Sequence, residues 1–199
     1  MNEDLLVAKA ELRRKLRLQA HAVSPAERSS ASAEIGDRLR RQAEWQQARS
    51  LMVYAALPDE LNVWPLAWEA LADGRVLALP RFVNPRTGYE AAVVRHPTAD
   101  LRPGLLGILE PRPDCAGLPL NQLDLILVPG LGFDDCGGRL GRGKGHYDRL
   151  LRKASGVLCG VAMDWQVLPA IPVGPHDRDL DCILTPTRWI ACRRRAVRE

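Results

Sequence analysis

Twelve consecutive residues carry the densest chemistry in the chain: Gly137-Gly138-Arg139-Leu140-Gly141-Arg142-Gly143-Lys144-Gly145-His146-Tyr147-Asp148. Closely spaced glycines let backbone N–H groups approach an anion. A helix starting just beyond them adds favourable partial charge. Arg139, Arg142 and Lys144 supply three cations. A charge-assisted hydrogen bond contributes roughly 1.5–3 kcal/mol, and millimolar affinity requires only about 4 kcal/mol, so a few such contacts hold a polyphosphate. Gly138 to Lys144 fits the phosphate-loop pattern G-x-x-x-x-G-K, but Gly145 stands where a Ser or Thr hydroxyl should hold Mg²⁺. The phosphate-loop family is therefore rejected, while the polyphosphate cradle is kept. Asp148 is the candidate metal ligand in place of the hydroxyl, since Mg²⁺ often takes one or two carboxylates plus phosphate oxygens. A glycine-rich surface turn with solvated cations remains the plainer alternative.

Two further groups converge on anion chemistry. Lys9 and Arg13 are one helical turn apart and share a face. Like charges at that spacing repel, which makes sense if an anion lies between them; an ordinary basic helix face is the alternative. Leu57-Pro58-Asp59-Glu60-Leu61-Asn62 follows an apolar run, and strand-end carboxylates in α/β proteins are reasonable ligand contacts.

The elements that must position these residues follow from periodicity and punctuation. A helix is predicted over residues 4–20, where Leu5, Leu12 and Leu16 recur at helical spacing. Ser24-Pro25-Ala26-Glu27 reads as an N-cap, first-position proline and capping-box glutamate, opening a helix to about Ala43. Strands are predicted over 51–56, over 75–79 with Pro80 as the stop, over 89–94 and over 156–163. The clearest is Asp124-Leu125-Ile126-Leu127-Val128-Pro129. Helices are expected over 64–71 and 147–153, an irregular stretch over 101–120, and short final strands over 181–185 and 189–192. Strands alternating with helices indicate an α/β fold with a mostly parallel central sheet. No linker interrupts the pattern, so residues 1–199 read as one domain.

Composition bounds the function. The chain has 46% hydrophobic and 26% charged residues, with a net charge of +4, which suits a globular protein handling anions. Acidic residues interrupt the basic ones almost throughout, so no nucleic-acid role is expected; the Arg193-Arg194-Arg195 run reads as a solvated tail. Five scattered cysteines without a C-x-x-C pair suit a reducing compartment. No signal peptide or membrane span is recognised, so a cytoplasmic location is expected.

At these residues the chain resembles the 5-formyltetrahydrofolate cyclo-ligase family. The matching blocks run in order: K-x-x-L-R from Lys9, Y-x-x-L-P-D-E-L from Tyr54, L-A-L-P-R from Leu77, G-I-L-E-P from Gly107, D-L-I-L-V-P-G from Asp124, F-D-x-x-G-x-R-L-G-R-G-K-G-x-Y-D-R from Phe133, and P-x-x-x-H-D-x-x-x-D from Pro172. The resemblance implies an ATP- and Mg²⁺-dependent enzyme that closes 5-formyltetrahydrofolate to 5,10-methenyltetrahydrofolate. It implies a sheet sandwiched by helices in three layers, similar to sugar-phosphate isomerases and CoA transferases. Lys9, Arg13 and the loop Arg139, Leu140, Gly141, Arg142, Gly143, Lys144, Gly145, His146 and Tyr147 would bind ATP. Arg13, Ala55, Glu60 and Arg142 to His146 would border the folate, with Glu60 on the pterin edge. Asp148 and Asp177 would help bind Mg²⁺, and Lys144 and Arg142 would stabilise the transferring phosphoryl group. The chain departs from the family pattern at His146, where many relatives carry an aromatic residue. It is expected to act as a monomer. The rivals are an ATP-independent sugar-phosphate isomerase and a nucleic-acid binding module.

Overall fold

The computed structural model describes residues 3–104, 107–175 and 177–193. His176 and the tail arginines Arg194, Arg195 and Arg198 lie outside the described residues. The helices are α1 (Glu3–Ala22), α2 (Pro25–Arg40), α3 (Ala43–Gln47), α4 (Trp64–Ala72), α5 (Pro97–Asp100) and α6 (His146–Leu151). The strands are β1 (Ser50–Met52), β2 (Val76–Asn84), β3 (Gly88–Val94), β4 (Leu101–Pro103), β5 (Leu109–Pro111), β6 (Gly117–Leu118), β7 (Leu125–Pro129), β8 (Gly132–Asp134), β9 (Arg139–Leu140), β10 (Val157–Val161), β11 (Val167–Leu168), β12 (Cys182–Leu184) and β13 (Trp189–Ala191).

Eight strands form the main sheet in the order β13-β12-β10-β7-β1-β2-β3-β6. The run from β12 to β2 is parallel, and antiparallel partners close both edges. The apolar run on β7 has a direct cause. Leu125 and Leu127 pack with α2, α3 and α4, while Ile126 and Val128 pack on the opposite face with Leu150 and Leu151 of α6. A strand buried on both faces loses the polar alternation of a half-exposed one.

Several boundaries differ from expectation. Pro80 does not stop β2, which continues to Asn84 opposite β3. Ala78 pairs toward β1, and by alternation the N–H-less side of Pro80 points the same way, where β1 has already ended. β1 itself stops at Met52, because the chain leaves the sheet toward a turn in which the Tyr54 hydroxyl donates to Leu61 O at 2.9 Å. α2 begins as expected, with Ser24 Oγ accepting from Glu27 N at 3.2 Å. It ends at Arg40, and the break before α3 turns Trp45 into the core, where the Arg75 guanidinium lies 4.7 Å from its ring centroid. The stretch expected to be irregular contains the paired strands β4 and β5 and the short strand β6; Asp100 Oδ2, just before it, accepts from the Arg95 and His96 N–H groups, and Gly104 N donates to Ile108 O.

A smaller sheet, β11-β8-β9, stands beyond the carboxyl end of β7. α1 packs on it through Leu12 and Leu16 against Leu131, Leu140 and Ile171. This packing brings the cations of α1 to the glycine-rich loop. Among the described residues no helix is long and apolar enough to cross a membrane.

Candidate active site

The site is built where β1 and β7 of the main sheet end and the β8–β9 hairpin begins. Asp134, almost fully buried, organises the hairpin: its Oδ1 accepts from Cys136 N at 3.1 Å and Gly138 N at 2.8 Å, and its Oδ2 from Ile171 N at 2.7 Å. β9 delivers Arg139 and Leu140 in opposite directions. Leu140 is buried under α1 and its carbonyl accepts from Leu131 N, so it anchors the loop. Arg139 turns inward, and its side chain is only 3% exposed. It donates to Pro129 O at 3.2 Å and Asp148 Oδ1 at 2.7 Å, and its guanidinium lies 5.6 Å from the Tyr147 ring centroid. Its Nε is buried with no protein acceptor.

The loop from Gly141 to Gly145 passes beneath α1. Arg13 Nε donates to Gly141 O at 3.0 Å, and Arg17 Nη2 to Arg142 O at 3.1 Å. Gly145 turns the chain into α6 at φ +63°, a left-handed conformation that favours glycine. Gly143, at φ +109°, faces the Arg13 guanidinium, and the Lys144 side chain is exposed.

Lys9 and Arg13 were expected to flank an anion, and each has a partner of its own. Lys9 Nζ is ion-paired with Asp177 Oδ2, while Arg13 holds the Gly141 carbonyl. Burial alone would raise the Asp177 carboxyl. The bond from Lys9, the bond from Gly174 N and the charges of Lys9 and Arg139 outweigh it, so Asp177 stays below the ordinary aspartate range. The charges of both Asp177 and Asp148 reach the Arg13 guanidinium. The two candidate metal ligands therefore border one cationic cluster, each ion-paired, Asp148 with Arg139 and Asp177 with Lys9. Among the described residues no three His, Cys, Asp or Glu side chains gather as a metal-binding group.

Across the cavity, Arg142 reaches the turn after β1. Its Nη2 lies 2.6 Å from Asp59 Oδ1, and its Nε 3.1 Å from Glu60 Oε1. Glu60 Oε2 accepts from Leu57 N at 3.0 Å. Burial holds the Glu60 carboxyl above the usual glutamate range despite the opposing Leu57 N–H and Arg142. Beneath this pair is a cavity of about 10 Å³ bordered by Tyr54, Pro129 and Gln166, roughly the space of one water. Glu60 also borders a groove of about 630 Å³ between α2 and residues 56–66, a volume in the range of small-molecule sites. Ala56 lines that groove, whereas Ala55 is half-buried and packs on the core beneath.

His146 stands edge-on to Tyr89 and Phe82, with centroids 5.1 and 5.9 Å away. Arg149 Nη2 is 2.8 Å from His146 Nδ1. A guanidinium only donates, so this contact makes Nδ1 the acceptor and puts the ring proton of the neutral imidazole on Nε2. Burial, then the charges of Arg149 and Lys144, hold the imidazole below its ordinary pKa. Burial first, then the Glu60 charge, pushes the Tyr147 hydroxyl well above the ordinary phenol range.

The fold thus gathers Lys9, Arg13, the Arg139–Asp148 loop, Glu60 and Asp177 at one end of the sheet. Sequence reasoning gave no role to two residues that hold them there, Arg17 and Asp134, and it named Asp59 beside Glu60 as a strand-end carboxylate without its partner Arg142. Arg17 was readable, since it continues the one-turn spacing of Lys9 and Arg13.

Known proteins resemble this chain in sequence and in fold. Residues 6–186 match the model of the 5-formyltetrahydrofolate cyclo-ligase family. The chain is 28% identical over 193 residues to a 5-formyltetrahydrofolate cyclo-ligase of Mus musculus, covering 89% of this chain and 93% of the relative. It is 29% identical over 179 residues to one of Escherichia coli K12, covering 87% and 97%. An NMR structure of the 5,10-methenyltetrahydrofolate synthetase of Aquifex aeolicus superposes with a TM-score of 0.84 at 31% identity, over 96% of both chains. A synthetase from Mycoplasma pneumoniae shares the fold, with a TM-score of 0.72 at 21% identity over 89% of this chain and 98% of that one.

Proposed function

The chain belongs to the 5-formyltetrahydrofolate cyclo-ligase family and is an enzyme of that family, and we propose that it drives the closure of 5-formyltetrahydrofolate to 5,10-methenyltetrahydrofolate with ATP and Mg²⁺. The observation that carries this reading is the convergence of Lys9, Arg13, Arg139 and the glycine-rich loop beside the two carboxylates Asp148 and Asp177.

The chemistry explains why such a site has cations and glycines in place of a nucleophile and base. The N5-formyl group is an amide, so its carbon is a poor electrophile and its oxygen a poor leaving group. In the proposed sequence the formyl oxygen attacks the γ-phosphorus of ATP and ADP departs. N10 then adds to the activated carbon, loses its proton, and phosphate leaves as the ring closes. Phosphoryl transfer depends on positioning and charge neutralisation more than on covalent help from the protein. Arg13, Arg139 and Lys9 would neutralise the phosphates. Arg142 and exposed Lys144 would meet the charge that develops on the transferring group.

The residues fit a magnesium ion in the form Mg²⁺ usually takes with nucleotides, one or two carboxylates supplemented by phosphate oxygens. Asp148 and Asp177 would hold it, exchanging their present ion pairs for that role. When bound, the ion would neutralise phosphate charge and orient the leaving group. Glu60, buried and anchored by Leu57 N, would accept from the pterin edge, and the groove it borders has room for the rest of the folate. The reading also includes a monomeric cytoplasmic enzyme and a sheet akin to those of sugar-phosphate isomerases and CoA transferases. An ADP-release assay tests the ATP reading. ADP should form only when 5-formyltetrahydrofolate is present; equal ADP release without it would replace this function with simple ATP hydrolysis.

A further inference from the structure

We propose that Asp59 is a positioning residue that fixes the Arg142 guanidinium at the mouth of the site, so that Arg142 stays in place when Glu60 exchanges it for the substrate. The role of Arg142 on the phosphoryl group, and of Glu60 on the folate, belongs to the function proposed above. The grip of Asp59 on Arg142 stands on geometry alone.

Arg142 is held at both ends. Its carbonyl accepts from Arg17 of α1, and its guanidinium is shared between Asp59 at 2.6 Å and Glu60 at 3.1 Å. The two carboxylates differ in what else they do. Glu60 Oε2 already accepts from Leu57 N and Glu60 borders both the small cavity and the larger groove, so it is the one placed to meet a ligand. The contact that Asp59 makes to Arg142 is the shorter one, and its side chain is 17% exposed, so water competes weakly for it. A guanidinium can donate to two acceptors from different nitrogens in a fixed plane. When a ligand donor takes Glu60 Oε1, the Nε bond to Glu60 is lost while the Nη2 bond to Asp59 persists. With only Glu60 as partner, Arg142 would instead compete with the ligand for the carboxylate and, once displaced, swing on a glycine-flanked loop. A misplacement of about 1 Å in a catalytic group costs on the order of a hundredfold in rate, so a second anchor has a clear use.

The test uses the full chain. Asp59→Asn keeps the shape of the side chain and removes its charge. It should lower kcat about tenfold while the KM for 5-formyltetrahydrofolate moves less than about threefold, a barrier change of about 1.4 kcal/mol. In an Arg142→Lys background, where a single ammonium replaces the planar fork, Asp59→Asn should cost less than about twofold. A merely structural Asp59 would give the same loss in both backgrounds, and that result overturns the proposal. A second readout needs no catalysis: the Nη2–H resonances of Arg142, the ones bonded to Asp59 and identified by their loss in Arg142→Lys, should exchange slowly in the wild type and broaden in Asp59→Asn. Unchanged resonances also overturn it. A wild type that shows the protected resonances but no ATP-dependent turnover would sink the proposed function and leave the positioning role standing.

Discussion

Replacing Asp134 by alanine should destabilise the protein more than any change to an exposed site residue. The carboxylate is 2% exposed and accepts from three backbone N–H groups, those of Cys136, Gly138 and Ile171. Truncation orphans these donors in a region too tight for them all to find water. At roughly 1–3 kcal/mol for each buried donor left unsatisfied, the loss is at least about 3 kcal/mol, and about 4 kcal/mol is expected. Urea denaturation followed by tryptophan fluorescence reads this directly. With a slope of about 2 kcal/mol/M, the midpoint should fall by about 2 M with the slope unchanged. Asp134→Asn retains an oxygen for Cys136 and Gly138 but presents an amide donor to Ile171 N, so its midpoint should lie between the two. A loss below about 1 kcal/mol for the alanine variant would mean that the three donors find other partners, and the account of how the hairpin is held would fail. The consequence reaches function, since the same hairpin carries Arg139 and the glycine-rich loop.

Other outcomes follow from the same geometry. Lys144→Ala should lower kcat at least about tenfold if, as proposed, its exposed ammonium meets a charge that exists only during transfer; near-wild-type kcat removes Lys144 from that role. Asp148→Asn should shift the Mg²⁺ titration of activity to higher concentration, and an unchanged titration would take Asp148 out of the metal site. His146 is held neutral below its ordinary pKa, so the unfolded chain binds a proton before the folded one does. Stability should therefore fall as pH drops below about 6.5 toward the folded-state pKa. His146→Phe should flatten that slope in chemical denaturation at several pH values, and an identical slope would contradict the assignment.

Much of this was readable in the chain because local chemistry forced it. β7 announced itself as an uninterrupted apolar run, since both of its faces are covered. Ser24 and Pro25 marked the start of α2 because a helix N-terminus must find an acceptor and tolerates proline. The glycine-rich loop stood out because few other sequences turn and approach an anion at once. What stayed hidden depends on tertiary context. Pro80 looks like a strand stop until β1 is known to end beside it. The pairings of Lys9 with Asp177 and of Arg142 with Asp59 join residues far apart in the chain, so neither the partner nor the strength of the pair has a local signal. Asp134 reads as one more loop carboxylate until the fold buries it against three N–H groups.

The central claim is that this site couples ATP to ring closure, and near-UV absorbance tests it most directly. Purified protein is mixed with 5-formyltetrahydrofolate and Mg²⁺, with and without ATP. The absorbance of 5,10-methenyltetrahydrofolate should grow only when ATP is present. Growth at the same rate without ATP, or no growth with ATP from protein shown to be folded, would contradict the account.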